Sequence, residues 1–152
     1  YRKFGLARNI QVVGASGTVT SQNLPAIGKA ANGFVTGVGY APGIDTPENR
    51  KFVADFQAAH KAAPDLYGAD SYGVLFFYKA AVEKAQSTDT DKVREAMRGL
   101  QWNTPQGLKT MRAGDHQAMQ EMYAMRVNDG KFEMVGRIKA EAAIGPDTCT
   151  RF

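Results

Sequence analysis

"NIQVVGASGTVTSQNLPAIGKAANGFVTGVGY", residues 9–40, decides the fold. Its opening, "NIQVVGASG", is a short β-branched run that ends in glycines, the pattern of a buried parallel strand and its exit loop. "SQNLPAIGKAANG" predicts a short helix that starts near Gln22 or Asn23, carries Pro25 in its first turn and closes on Asn32 and Gly33. "FVTGVGY" predicts a second strand. Strand, helix and strand in such quick order form the βαβ signature of an α/β sheet.

On the upstream side, "YRKFGL" reads as the last turn of a helix, with Gly5 as its left-handed stop after Phe4 and most of that helix lying before Tyr1. Downstream, "TPENRKFVADFQAAHKAAPD" has the strongest helix start in the chain. Thr46 is the N-cap, Pro47 takes the first helical position and Glu48 faces the positive end of the dipole. Phe52, Val53, Phe56, Ala59 and His60 then share one face, and Pro64 ends the run. "YGADSYGVLFFYKAAVEKAQ" predicts a second, largely buried helix, since it is apolar nearly all round from Tyr72 to Tyr78. "STDTDKVREAMRGL" predicts a third, capped by Thr88 or Asp89, with Val93, Ala96, Met97 and Leu100 inward. Pro105, Gln106 and Gly107 make a turn into a short strand.

"EMYAMRV" and "KFEMVGRI" flank Asn128-Asp129-Gly130 and predict a hairpin. Together with His116, the methionines here raise the question of a soft-metal site. In a strand, however, Met122, Ala124 and Arg126 point to one face and Tyr123, Met125 and Val127 to the other. The sulfurs therefore do not converge on one ion, as such a site requires. They read as core filler, and no metal is assigned.

The 152 residues are enough for one domain with a proper core, and 43% apolar with 22% charged residues is ordinary for a soluble globular chain. The richest apolar run, "YGVLFFYKAAV", is broken by Lys79 and falls short of the ~18 residues of a membrane span. The chain opens without methionine or a basic-then-apolar leader, as a processed protein or an excised piece would. A net charge of +4 is spread too evenly for a nucleic-acid surface. Cys149 is the single cysteine, either an inert thiol or half of a disulfide whose partner lies on other sequence.

Neither His60 nor His116 neighbours a serine or cysteine in a nucleophile motif, and GxSxG, CxxC, HExxH and P-loop patterns do not occur. No catalytic residue and no cofactor is assigned. The loop "VVGASGTVTSQN" stands out instead, because ligands of open α/β sheets bind at the carboxyl ends of strands. Gly14 and Gly17 let a ligand approach the backbone, while Ser16, Thr18, Thr20 and Ser21 offer hydroxyls. A plain strand-to-helix turn with capping hydroxyls has the same composition.

The order of "GFVTGVGY", "FVADFQAAHKAAPDLYGADSYGVLFFYKAAVEKA" and "TPQGLKTMRAGDHQAMQEMYAMRVNDGKFEMV" resembles periplasmic binding proteins of the leucine/isoleucine/valine-binding type. These are the substrate-binding components of ABC importers for branched-chain amino acids, amides and related carboxylates. The likeness covers nearly all of the chain. It implies an α/β, partial type I periplasmic-binding-protein fold, with three-layer αβα lobes and a C-terminal β-hairpin. Family members are considerably longer, so the chain is expected to be a C-terminal portion. Residues 1–38 and 118–152 would belong to the second lobe and 39–117 to the first.

The resemblance also implies a site. The loop at Gly14, Ala15, Ser16 and Gly17 matches the second-lobe loop that contacts ligand, with Thr18 and Thr20 available to hydrogen-bond. Relatives that bind α-amino acids often place an acid here; Ala15 and Ser16 argue against a zwitterionic ligand. Tyr67 matches an aromatic position that lines the ligand's side chain, and Tyr40 at the hinge either lines the site or packs. The implied partners are a small molecule (an amino acid, an amide, or an aromatic or aliphatic carboxylate) and an ABC membrane permease, with no nucleic acid. The implied location is the periplasm. A signalling receptor ectodomain of the same fold is the alternative, and an enzyme on a related scaffold a more remote one. A chain lacking most of one lobe is expected not to close on ligand, and to self-associate through the apolar surface it exposes.

Overall fold

A computed structural model describes residues 2–148. Cys149 and the question of its pairing lie outside the described residues. Two 3-10 turns, Arg2–Phe4 and Leu6–Arg8, open the chain around Gly5, whose φ of 73° is the left-handed stop expected there. The first strand, β1, is only Val13–Gly14. Helix α1 (Leu24–Ile27) runs into a 3-10 turn, and β2 (Val35–Val38) follows, parallel to β1. The βαβ unit is thus present, but its first strand is not buried. Val13 is 68% exposed, because β1 pairs on one side only and forms the edge of its sheet.

Helices α2 (Pro47–His60), α3 (Leu66–Ala85) and α4 (Thr90–Met97) come next. The cap chemistry explains each start. Thr46 accepts from Asn49 N–H, Asp65 from Gly68 N–H and Asp89 from Lys92 N–H, each satisfying an orphan donor of the first turn. Helix α2 ends at His60 with Lys61 in the left-handed conformation, so the stop falls ahead of Pro64. On its inward face Phe52 is buried, whereas Ala59 and His60 are exposed.

Helix α3 departs most from expectation. Ala69, Gly73, Phe77 and Ala81, spaced four apart, form its buried stripe. Val74, Leu75, Phe76 and Tyr78 are exposed instead of buried. An apolar circumference predicts burial all round only when neighbours surround the helix. Here α4 and β3 (Gln101–Thr104) pack on one side, and the opposite side faces solvent.

The strands form two sheets. In the larger, β1 and β2 continue to β6 (Met122–Asn128) and β7 (Lys131–Ile138), with β6 antiparallel to both β2 and β7. In the smaller, β3, β4 (Gly107–Met111) and β5 (Ala118–Met119) are antiparallel. The predicted hairpin closes through Asp129 and Gly130, both at positive φ, as a tight two-residue turn requires. A short helix, α5 (Ala140–Ala143), follows. On β6 Tyr123, Met125 and Val127 are buried and Met122, Ala124 and Arg126 are not, so the methionines divide between faces as the alternation predicts.

The main core joins β2, α2, α3 and β6: Val38, Ile44, Phe52, Ala69, Tyr123 and Met125 meet in one cluster. A smaller cluster of Val19, Leu24, Ala31, Phe34 and Val127 holds α1 on the other part of the larger sheet. Tyr123 links the two sheets, because its hydroxyl donates to the Gln106 carbonyl in the β3–β4 turn at 3.0 Å. Among the described residues, no helix is long and apolar enough to cross a membrane.

Candidate functional site

The loop after β1 and the start of α3 come together over the chain's passage from β2 into α2. Between them lies a shallow groove, open to solvent, with a cavity volume of about 60 Å³. Its floor is apolar: Val38, Ala41 and Met125 are buried, and Phe132 reaches in from β7. Ser16, Thr20 and Ser21 come to its rim from the β1 loop, and Asp65 and Tyr67 from the opposite side.

Local chemistry sets this shape. Thr20 and Asn23 clasp one another, Thr20 N–H donating to Asn23 Oδ1 at 2.8 Å and Asn23 N–H to Thr20 Oγ1 at 3.3 Å. That clasp turns the loop into α1 and buries Val19 and Leu24 behind it. Across the groove, Asp65 accepts from Gly68 N–H through Oδ1 at 2.9 Å. Its Oδ2 accepts from Gln22 Nε2, also at 2.9 Å, which ties the loop to α3. Gly17 permits a second approach, for a Cβ there would stand 3.4 Å from the Tyr67 hydroxyl.

Of the residues expected to form a site, Ser16 and Tyr67 line the groove and Gly17 abuts Tyr67. Gly14 lies under the loop, where a Cβ would come within 2.7 Å of Phe34 Cζ. Its lack of a side chain makes room for that ring. Ala15 is exposed and does not line the groove, and Thr18 faces a separate depression beside Asn9 and Gly33. Tyr40 lines the floor at 4% exposure, packing edge-on against Phe52.

Asp65 is the residue that sequence reasoning misses. Its position before "LYGAD" marks an N-cap, but its second role, meeting Gln22 across the groove, depends on contact between segments 43 residues apart. Electrostatically the groove is negative at this point. Burial pushes the Tyr40 hydroxyl well above its ordinary range, and the charge on Asp65 pushes the same way, so Tyr40 stays protonated.

His116 stands apart, in the loop before β5, at a positive φ of 57°. Beside it Arg112 Nε donates to Asp115 Oδ1 at 2.8 Å, holding the Asp115 carboxyl down at about 2. Among the described residues, no three of His, Cys, Asp and Glu gather as a metal site would need.

Apolar floor, hydroxyl rim and a crossing hydrogen bond are the means of holding a small molecule between two segments of an α/β chain. The chain belongs to the periplasmic binding protein family, whose model matches residues 1–131. It is 31% identical over 125 residues to Leu/Ile/Val-binding protein homolog 6 of Brucella abortus, an alignment covering 78% of this chain and 32% of that protein. An ABC-type branched-chain amino acid transporter protein from Rhodopseudomonas palustris CGA009 superposes with a TM-score of 0.78 at 29% identity, over 91% of this chain and 39% of that one. A solute-binding protein from Rhodopseudomonas palustris HaA2, in complex with p-hydroxybenzoic acid, gives 0.81 at 27%, over 93% and 40%. The chain therefore spans about a third of the curated relative's length and about two fifths of the solved structures, and its fold is a part of the type I periplasmic-binding-protein fold.

Proposed function

We propose that these residues belong to the periplasmic solute-binding component of an ABC importer, which captures a small molecule between two lobes and presents it to a membrane permease. Residues 1–38 and 118–152 contribute to one lobe and residues 39–117 to the other. The ligand is a branched-chain amino acid, an amide or a related aliphatic or aromatic carboxylate, and it leaves unchanged. Contacts to both lobes favour the closed arrangement, and closure is the signal passed on.

The observation that carries this reading is the meeting of the β1 loop and the α3 start, Gly17 against Tyr67 and Gln22 against Asp65, around one apolar groove. A groove built by two segments binds a ligand that also brings those segments together. Two of the solved relatives support this range of ligands, one being a branched-chain amino acid transporter protein and the other holding p-hydroxybenzoic acid. Titration calorimetry of the complete gene product with leucine, benzamide, benzoate and 4-hydroxybenzoate tests it. A saturable one-to-one isotherm for at least one of these, with the ligand recovered intact by mass spectrometry, is the expected result. Absence of saturation with all four, or recovery of a converted product, overturns the proposal.

A further inference from the structure

The two walls of the groove stand in contact. Gln22 Nε2 donates to Asp65 Oδ2 at 2.9 Å, and a Cβ on Gly17 would lie 3.4 Å from the Tyr67 hydroxyl. At these separations no aliphatic or aromatic body fits between the β1 loop and the start of α3. The cavity itself, about 60 Å³, has room for roughly five waters, less than a branched-chain amino acid or a benzoate fills. A ligand of that size sits between the walls only once they part.

Other contacts between the same two parts of the chain allow such a movement. Tyr123 donates to the Gln106 carbonyl and Arg112 to the Gly145 carbonyl. Both donors lie close in the chain to the passage at residues 117–118, where a hinge rotation displaces atoms least. Gln22 and Asp65 meet at the rim, well removed in sequence from that passage. In the arrangement they hold, the Tyr40 hydroxyl on the floor is buried without a partner. A buried donor left unsatisfied carries a cost, so contact of the walls is opposed from within and needs a tie across the rim. Asp65 divides its oxygens between the cap of α3 and this tie, whereas the exposed Gln22 can be changed without disturbing a helix.

We infer that the Gln22–Asp65 hydrogen bond is a latch that competes with ligand: it holds the walls together, and a solute enters only after it breaks. This rests on the solute-binding reading above and adds the regulation of its site. The latch sets the fraction of molecules ready to bind, and apparent affinity falls in proportion to that fraction. Its removal makes the competent form more abundant and association faster, while the ligand's own contacts and its departure rate stay the same.

Two measurements on the complete gene product test the latch. Small-angle X-ray scattering without added ligand compares wild type, Gln22→Ala and Gln22→Glu, the last setting a second carboxylate opposite Asp65. The radius of gyration is expected to rise in that order, and the excess in Gln22→Glu to shrink at high salt. Stopped-flow titration with leucine, benzamide, benzoate and 4-hydroxybenzoate follows binding, and thermal melting verifies that the variants are folded. For whichever compound saturates, Gln22→Ala is expected to bind about three-fold more tightly, the size of one modest net hydrogen bond, with the gain in the association rate. Equal radii in the three proteins overturn the latch. So does unchanged or weaker binding by Gln22→Ala, or a gain carried by slower dissociation, while the solute-binding reading survives each of these. Saturation by none of the four compounds overturns that reading and, with it, the latch as a control on binding.

Discussion

A Cβ on Gly17 would stand 3.4 Å from the Tyr67 hydroxyl, an ordinary van der Waals separation, so the two segments approach as nearly as a small side chain allows. Alanine fits this space and leucine does not. Gly17→Ala is expected to change stability by less than about 0.5 kcal/mol and to leave ligand affinity unaltered. Gly17→Leu is expected to push Tyr67 aside and to weaken binding about ten-fold, with melting unchanged, since both residues are at an exposed rim. Unaltered binding by Gly17→Leu would show that the loop and α3 do not act together on the ligand.

Gly14 makes a contrasting case at the other end of the same loop. A Cβ there would lie 3.2 Å from Thr18 Oγ1 and only 2.7 Å from Phe34 Cζ. The ring is the harder obstacle, because Phe34 is buried in the smaller core. Gly14→Ala is expected to cost roughly 1–3 kcal/mol through overpacking. Phe34→Leu in the same chain should recover part of the loss, and a double-mutant cycle by urea unfolding measures the coupling. Additive effects would show that the ring has room to move.

How much is legible in the sequence follows from the range of the interactions involved. Thr46, Asp89 and Gly5 act within one helical turn, and their roles can be read locally. The Asp129-Gly130 turn and the alternation of Tyr123, Met125 and Val127 are equally local. The exposure of Val13 and of the outward α3 residues Val74, Leu75, Phe76 and Tyr78 is not legible, because periodicity says which residues are apolar and not which neighbours are present to cover them. At the site, Ser16 and Tyr67 can be named from a family resemblance. The Gln22–Asp65 hydrogen bond and the orphaned Tyr40 hydroxyl depend on tertiary contact and leave no motif.

Tyr123 tests how firmly the two sheets are joined. Its hydroxyl is the donor to a buried Gln106 carbonyl, and Gln106 N–H is itself taken up by Thr104 Oγ1 at 3.1 Å. Tyr123→Phe leaves that carbonyl without this donor. A loss of about 1–2 kcal/mol is expected, read as a lower urea midpoint. An unchanged midpoint would mean that water replaces the hydroxyl at no cost.

The Arg112–Asp115 pair governs an acid-sensitive contribution. The Asp115 carboxyl is held at about 2 in the folded chain, chiefly by its hydrogen bond with Arg112, against about 4 when unfolded. A group depressed on folding stabilises fully above its unfolded value and loses that contribution as pH falls through its folded one. Asp115→Asn is therefore expected to lower the urea midpoint at pH 7, with the gap to wild type closing between about pH 4 and pH 2. A gap that persists at pH 2 would assign the effect to packing, because Arg112 also donates to the Gly145 carbonyl at 2.6 Å.

The outward face of α3 governs behaviour in solution. Val74, Leu75 and Tyr78 lie at helical spacings of one stripe, at exposures of 56%, 69% and 52%. Adjacent apolar side chains at such exposure favour association over hydration. The isolated 152-residue chain is expected to grow in apparent mass with concentration in light scattering. Leu75→Lys with Tyr78→Lys is expected to restore the monomer mass, and to alter stability by less than about 0.5 kcal/mol because neither side chain is buried. Association that persists in the double variant would move its cause elsewhere, and the unpaired edge of β1 would be the next candidate, since an open strand edge is a template for pairing with another chain.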